Sequence, residues 1–275
     1  MSDTGGHALK ADTLLQILEL DQLDRDLFRA SYNARNSSGR LYGGQVCAQA
    51  LAAAYRTVPE ERFVHSLHGY FLRTGDPGLP VLLHVQRSRD GRSFVQRNVL
   101  AVQEGEVIFT MSASFHMVET GGELETRPFP KYVPAPDSVA PSAFFGAHVD
   151  FWDFRFLYPD HDDDEMADRP SPRMWARTRR PLPDDRIVWD CLIAYLSDFS
   201  TGFGGHRQPD LPRGGPSLDH AVWFHRPTRP DAWLLMDMWA VWAGGGRGLY
   251  HGAIYEQGGP LVASFTQESL LRLRL

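Results

Sequence analysis

Apolar and polar positions along the chain predict two helices followed by a run of antiparallel strands. A first amphipathic pattern predicts a helix from about Asp12 to Ala30, and an Ala-rich stretch predicts a second helix over Val46–Tyr55. Turn sequences such as Asp90-Gly91 and Glu104-Gly105 then separate runs typical of strands. The four predicted strands are Val64–Leu72, Leu79–Arg87, Ser93–Gln103 and Val107–His116.

The remainder of the chain repeats this order after an irregular connector. Gly121-Gly122 and five prolines between Pro128 and Pro141 predict the connector, from residue 119 to about residue 147. A helix is predicted from about Asp184 to Phe199, followed by a Gly/Pro-rich loop from Thr201 to Pro216. Four predicted strands follow: Leu218–His225, Ala232–Trp242, Gly248–Glu256 and Leu261–Leu271.

Short matches between the two stretches indicate an internal duplication. Their order is the same in both stretches, and such repeats govern the assignment of a fold. The matches are Ser66-Leu67-His68 with Ser217-Leu218-Asp219, Phe71 with Phe224, Leu82 with Leu234, Ala113 with Gln267, and Cys47 with Cys191. We therefore predict an α+β protein with a first repeat at 1–118, a connector at 119–150 and a second repeat at 151–275. The alternative is a pair of unrelated α+β domains.

Composition narrows the class of protein. The chain has 275 residues, 43% hydrophobic and 23% charged, which is typical of a globular protein large enough for a substantial core. A net charge of −6 argues against a nucleic-acid partner. No apolar run approaches the roughly 18 residues of a membrane span, and no secretory signal is expected at the N-terminus. Cys47 and Cys191 are expected to be reduced, packed thiols, and the protein is expected to be cytoplasmic.

Asp198 is the first candidate for chemistry. At about 100° per residue, it falls about 20° from Cys191, inside an apolar stripe that includes Ile187 and Tyr195. A buried carboxylate without partners is costly, so this position faces the core or a cleft. A capping role is a weaker explanation, because an acid at a helix C-terminus opposes the helix dipole.

Comparing the repeats isolates two more polar residues. By eye, Asp198 corresponds to Ala54, Gln267 to Ala113 and Ser217 to Ser66. Only the second repeat therefore combines a carboxylate, a hydroxyl and an amide. This asymmetry predicts one working site and one copy that has lost its function.

Several motifs resemble the type II acyl-CoA thioesterases over roughly residues 12–272. The motifs are Leu41–Val46, His65–Arg73, Arg89–Phe94, Leu196–Asp198, Ser217–His225 and Ala263–Glu268. The resemblance implies a double hotdog fold, in which a long helix is wrapped by a curved antiparallel sheet twice. It also implies hydrolysis of fatty acyl-CoA by an Asp, Ser or Thr, and Gln set, which matches Asp198, Ser217 and Gln267. Peroxisomal relatives end in a Ser-Lys-Leu-type signal, whereas this chain ends Arg272–Leu275, so that location is not expected.

These residue types suit thioester hydrolysis without a cofactor or a metal. Asp198 can act as general base on a water that Ser217 and Gln267 hold by hydrogen bonds. Gly43 and Gly44 are candidates for substrate binding, because backbone N–H groups at a helix N-terminus can meet the oxyanion. His68 is a further substrate-binding candidate. The expected partners are acyl-CoA and further copies of the chain.

Other interpretations of these features remain open. Ser217 could be a covalent nucleophile, although that needs a histidine base and no Gly-x-Ser-x-Gly turn surrounds it. His68 or His220 could serve a hydratase or dehydratase, although a strand histidine is more often packed. Asp219 is equally compatible with a structural role, and Gly244–Gly246 with a tight turn. The acidic run at 160–168 is expected to be a solvated loop rather than a metal site. A non-catalytic acyl-CoA-binding protein is the alternative outside enzymes.

Overall fold

The computed structural model describes residues 7–34, 39–142, 150–157, 172–199, 201–203 and 214–272. Among them, three α-helices run over Leu14–Leu18 (α1), Gly43–Tyr55 (α2) and Arg186–Ser197 (α3). The strands of the first half are β1 (Leu9–Lys10), β2 (Leu20–Asp24), β3 (Leu27–Ala30), β4 (Tyr32–Asn33), β5 (Arg62–Phe71), β6 (Val81–Asp90), β7 (Phe94–Gln103) and β8 (Glu106–Met117). Those of the second half are β9 (Trp152–Leu157), β10 (Arg173–Thr178), β11 (Asp219–Phe224), β12 (Leu234–Gly244), β13 (Arg247–Glu256) and β14 (Leu261–Leu270).

One antiparallel sheet of twelve strands organises the described chain. Its order is β2-β3-β6-β7-β8-β5-β11-β14-β13-β12-β10-β9, so β5 and β11 join the two halves at its centre. Helices α2 and α3 pack against each other and against one face of the sheet. The strands predicted from the sequence all form, with ends that shift by at most three residues.

Strand pairing gives the internal repeat a register. Phe71 pairs with Phe109, and Phe224 pairs with Ala263, so the equivalent positions lie 153 and 154 residues further along. The same shift carries His68 to Ala221, and these two residues pair with each other across the central strands. The strand pairing is therefore symmetric about this pair.

This register corrects one of the matches made by eye. Ser217 pairs with Ser269 and Val64 pairs with Phe115, so the equivalent of Ser217 is Val64 rather than Ser66. Both halves shift their register by one residue at this place, so a bulge is common to them. Ser66 and Ser217 lie 151 residues apart rather than 153, and the match of the two Ser-Leu dipeptides is a coincidence of sequence. The match of Gln267 with Ala113 agrees with the register.

The two long helices form where the sequence predicts them. Helix α2 is rich in alanine, the strongest helix former, and nearly all of it is buried. Helix α3 begins after Asp185, whose side chain accepts a hydrogen bond of 2.8 Å from the Ile187 N–H. Cys47 and Cys191 are free and buried within these helices, as predicted.

The prediction of one helix from Asp12 to Ala30 is wrong. Thr13 and Gln16 form a capping box at the start of α1, which ends after five residues. A turn at Asp26, with a φ of 63°, then joins β2 to β3. Leu27–Ala30 pairs with β6 at the edge of the sheet, so a non-local pairing overrides the local helical pattern.

The connector is irregular where it is described. Between β8 and β9, the described residues contain a single short 3-10 helix at Pro136–Ser138. Strands β9 and β10 were not predicted from the sequence. The acidic run at 160–168 and most of the predicted loop from Thr201 to Pro216 lie outside the described residues. No helix in the described ranges is long and apolar enough to cross a membrane.

Gly44 allows α2 and α3 to approach closely. A Cβ atom at this position would lie 2.3 Å from the carbonyl oxygen of Tyr195, which belongs to the backbone of α3 and cannot move aside locally. We expect Gly44→Ala to lower the free energy of unfolding by about 1–3 kcal/mol, the usual cost of overpacking. Urea denaturation measures this change. Gly121→Ala is the matched control, because its Cβ would meet open space. Equal stability of the two variants would contradict the close helix contact.

Candidate active site

Asp198, Ser217 and Gln267 come from three separate elements and meet at one point. Asp198 is the residue that ends α3, Ser217 precedes β11, and Gln267 lies in β14. The Ser217 hydroxyl donates to Asp198 Oδ1 at 3.0 Å, and Gln267 Nε2 donates to the same oxygen at 2.9 Å. Gln267 Nε2 also forms a hydrogen bond with Ser217 Oγ. The structure thus brings together the three residues that the sequence comparison isolated.

The N-terminus of α2 points at the same carboxylate. The Gly44 N–H donates to Asp198, and a Cβ atom on Gly43 would lie 2.7 Å from Asp198 Oδ2. Both glycines therefore lie at the site, as predicted. The Gly44 N–H is used by the carboxylate, however, so its expected contact with an oxyanion does not apply to this arrangement.

Burial controls the charge of Asp198. Removal from water raises the pKa of its carboxyl to about 6, while hydrogen bonds from Gln267, Ser217 and Gly44 act in the opposite direction. Tyr42, Tyr195 and Tyr250 lie close to it, and burial raises the pKa of each phenol. These phenols stay neutral at physiological pH. Asp198 therefore changes its protonation state near the pH at which a general base is most effective.

A cavity of about 650 Å³ opens beside this group. Asp198, Ser217, Gln267 and Gly43 contribute to one part of its wall. Apolar side chains from the first half line much of the remainder: Leu41, Val46, Phe71, Ile108 and Phe109. Arg40, Arg73 and Thr74 also line the cavity, so its wall combines apolar and polar groups. A concave site with apolar surface and a few placed polar groups is typical of a pocket that binds and orients a small molecule.

His68, predicted as a substrate-binding residue, lies apart from Asp198, Ser217 and Gln267. Side chains alternate along β5, so Leu67 is buried towards the helices while His68 is exposed on the opposite face. Its ring contacts Trp223 edge-to-face at 5.2 Å between centroids. The alternation of apolar residues along β5 predicts from the sequence that His68 lies on the face opposite Leu67.

Two residues left open by the sequence analysis have clear surroundings. The Asp219 carboxylate accepts a hydrogen bond of 2.7 Å from the Glu268 N–H, which fits a structural role between strands. His220 is buried behind Gln267, with its Nε2 2.8 Å from Ser197 Oγ.

Tyr42 was missed as a site residue. Its hydroxyl donates to the Tyr195 carbonyl at 2.9 Å and its ring lines the cavity. Tyr42 lies directly before Gly43-Gly44 in the motif Leu41–Val46, and this position was the sequence signal that could have identified it as a site residue.

Comparisons with known proteins show the family of the chain. Residues 33–116 match the family described as the acyl-CoA thioesterase N-terminal domain, and residues 125–271 match the C-terminal domain. Acyl-coenzyme A thioesterase 8 of Mus musculus is 34% identical over 97% of this chain and 91% of its own length. Acyl-CoA thioesterase 2 of Haemophilus influenzae is 32% identical over 95% of this chain and 97% of its own.

Solved structures show the same fold. The acyl-CoA thioesterase II TesB2 of Mycobacterium marinum is 40% identical, with a TM-score of 0.80 over 95% of this chain and 99% of that one. A protein of unknown function with a hotdog fold from Alicyclobacillus acidocaldarius is 20% identical, with a TM-score of 0.77. The large antiparallel sheet with few helices is therefore of the hotdog type.

The raised pKa of Asp198 can be measured directly. We expect its carboxyl to titrate near pH 6 in carbon-13 NMR, because burial disfavours the charged form. The signal is assigned by its loss in Asp198→Asn. Asp26, whose pKa is held below its ordinary value by its hydrogen bond with Arg87, is the internal control. A titration of Asp198 near 4 would contradict the burial of its charge.

Proposed function

Because the chain belongs to the acyl-CoA thioesterase family and is a thioester hydrolase, we propose that it cleaves fatty acyl-CoA with a water activated by Asp198, Ser217 and Gln267. The products are a free fatty acid and coenzyme A. The convergence of two donors on one buried carboxylate oxygen, in the wall of a cavity of about 650 Å³, is the observation that carries this proposal.

The chemistry requires little more than these groups. A thioester is already activated, and its leaving thiol has a pKa near the ~8.5 of an ordinary thiol, so no strong acid is needed. Asp198 takes a proton from the water as the water attacks the carbonyl carbon. In the free enzyme, Ser217 and Gln267 form hydrogen bonds with each other and with Asp198. A water entering from the cavity replaces one of these contacts and is held by the same groups.

The tetrahedral intermediate needs a donor for its negative charge. The N-terminus of α2 supplies a positive dipole end at Gly43, which lies in the wall of the cavity. Leu41, Val46, Phe71, Ile108 and Phe109 offer apolar surface for the acyl chain. A thioester bound between the N-terminus of α2 and these apolar side chains would have its carbonyl carbon near Asp198.

The histidines argue against the two catalytic alternatives. A Ser217 nucleophile needs a histidine base, but its hydroxyl donates to Asp198 and the His220 Nε2 is bound to Ser197 Oγ. A hydratase would need a histidine next to the carboxylate in the cavity. His68 is on the other face of the sheet, and His220 does not line the described cavity wall.

We further propose the double hotdog arrangement, with repeats at 1–118 and 151–275 around a connector at 119–150. The common register of β5·β8 and β11·β14, together with one long helix in each half, supports it. We also propose a cytoplasmic homo-oligomer that acts in fatty acid metabolism. Exposed Tyr70, Leu100 and Trp223 on the outer face of the sheet support contact with another copy.

A panel of acyl-CoA substrates tests the proposed reaction. We expect release of free coenzyme A, detected with a thiol reagent, and higher kcat/KM for acyl chains long enough to fill the apolar cavity. Addition of water to an enoyl-CoA without thiol release would support the hydratase alternative instead. Binding without turnover of any substrate would support a non-catalytic protein.

Removal of the Asp198 charge should reduce turnover sharply. We expect Asp198→Asn to lower kcat by at least ~10²-fold, because a positioned general base contributes that much or more. The same substitution at Asp219, which bonds the Glu268 N–H instead, serves as control and should stay within a few-fold of wild type. Turnover close to wild type in a folded Asp198→Asn protein would refute the assignment.

Ser217 and Gln267 should act on the same water. We expect Ser217→Ala and Gln267→Ala each to lower kcat less than Asp198→Asn, and the double variant to lose less than the product of the two effects. Ser66→Ala, in the strand of the other half, should stay within a few-fold of wild type. Fully multiplicative losses would mean that Ser217 and Gln267 have separate roles.

A further inference from the structure

His220 and Gln267 are direct neighbours across two strands. Ala221 pairs with Thr266 and Val222 with Phe265, so the antiparallel register places residue 220 opposite residue 267. Both side chains are almost completely buried, at 1% and 2% exposure, on the face that meets the helices. Opposite residues on one face of an antiparallel pair have Cβ atoms roughly 5 Å apart, within reach of a hydrogen bond.

In each of these two side chains, one buried polar atom has no hydrogen-bond partner among the described residues. Gln267 uses its Nε2 hydrogens for Asp198 and Ser217, and its Oε1 is buried with no partner among the described residues. The His220 Nδ1 is likewise buried with no described partner. An amide oxygen accepts and an imidazole N–H donates, so one bond satisfies both atoms.

We propose that His220 is a positioning residue that fixes the amide of Gln267 by donating from Nδ1–H to Oε1. This inference rests on the proposed role of Gln267. The other ring nitrogen then accepts from Ser197, whose Oγ lies 2.8 Å from Nε2. Ser197 is the residue before Asp198, so His220 ties the end of α3 to the side chain that holds the catalytic carboxylate.

The protonation state of the ring supports this tautomer. Burial lowers the pKa of His220 to about 4, while the neighbouring Gln267 side chain acts to raise it. The ring is therefore neutral where Asp198 is ionised, with one donor nitrogen and one acceptor nitrogen. A donor towards Gln267 leaves Nε2 as the acceptor for the Ser197 hydroxyl.

The first half of the chain provides a natural comparison. In the common register, the pair equivalent to His220 and Gln267 is Leu67 and Ala113, which lie opposite each other in β5 and β8. The histidine and the amide therefore occur together in the half with Asp198, and both are replaced by apolar residues in the other half. A histidine needed only for packing would not have to follow the amide.

The function of this bond is to prevent rotation of the amide. A glutamine amide turned by 180° would direct Oε1 towards the Asp198 carboxylate and remove the donor that holds Asp198 and the water. A turned amide would also direct its NH2 group towards the donor on His220. The Nδ1–H of His220 therefore favours the orientation in which Nε2 faces the site.

Four variants test the proposal by kinetics. We expect His220→Leu, which restores the residue of the first half, to lower kcat roughly tenfold or more with KM within about threefold. His220→Asn retains an amide donor near the position of Nδ1 and should recover most of the loss. In a Gln267→Ala background, His220→Leu should have little further effect. His225→Leu, which removes an exposed histidine bonded to Ser264, should leave kcat unchanged.

The outcomes separate this proposal from the proposed function. If Gln267→Ala leaves kcat unchanged, the role of Gln267 is wrong and the positioning role of His220 is wrong with it, whereas the proposed reaction fails only if no acyl-CoA releases coenzyme A. If Gln267→Ala lowers kcat but His220→Leu has no effect, or has an independent effect that His220→Asn does not restore, only the positioning role is wrong. Nitrogen-15 NMR of the wild-type protein adds a test that does not depend on whether any variant folds. We expect a proton on His220 Nδ1 and none on Nε2, and the opposite tautomer would overturn the proposal.

Discussion

A carboxylate held out of water is the constraint on which the rest of the site depends. Asp198 ends α3, where the helix dipole disfavours a negative charge, and burial adds a further cost. Its charge is tolerated because Ser217, Gln267 and the Gly44 N–H donate to it, and the start of α2 presents the favourable end of a second dipole. The residual cost is visible as a pKa of about 6, which is the property a base needs near neutral pH.

This arrangement explains why the two helices must approach so closely. The start of α2 can reach Asp198 only if its backbone lies against the last turn of α3, and Gly44 permits that contact with Tyr195. The long sheet holds the pair of helices from one side and delivers Ser217 and Gln267 from neighbouring strands. The fold therefore positions the site through its backbone contacts before any substrate is present.

The two halves of the chain contribute different parts of the site. In the common register, the second half has Ser217 and Gln267 where the first half has Val64 and Ala113. At the opposite end of the helix pair, the Tyr55 hydroxyl donates to Asp190 at 2.6 Å and accepts from the Val64 N–H. The Tyr55 side chain thus lies beside Val64, the counterpart of Ser217 in the first half. The first half contributes α2 and the apolar cavity wall instead.

Much of this could be predicted from the sequence, because it depends on local patterns. Alanine content predicted α2, the turn at Asp90-Gly91 predicted a hairpin, and the apolar stripe of α3 placed Asp198 inside. Non-local effects defeated the rest. Leu27–Ala30 becomes a strand because it pairs with β6. The Ser-Leu dipeptides gave a repeat offset two residues short of the register that strand pairing shows, and no pattern reveals that Gly44 donates to Asp198.

The central claim is that Asp198 activates water rather than attacking the thioester itself. A single turnover with enzyme in excess, in water enriched in oxygen-18, tests it most directly. The account predicts one oxygen-18 atom in the released fatty acid and none in the peptide that contains Asp198. Oxygen-18 in the Asp198 carboxylate, with an unlabelled fatty acid after the first turnover, would show a covalent anhydride and contradict the account.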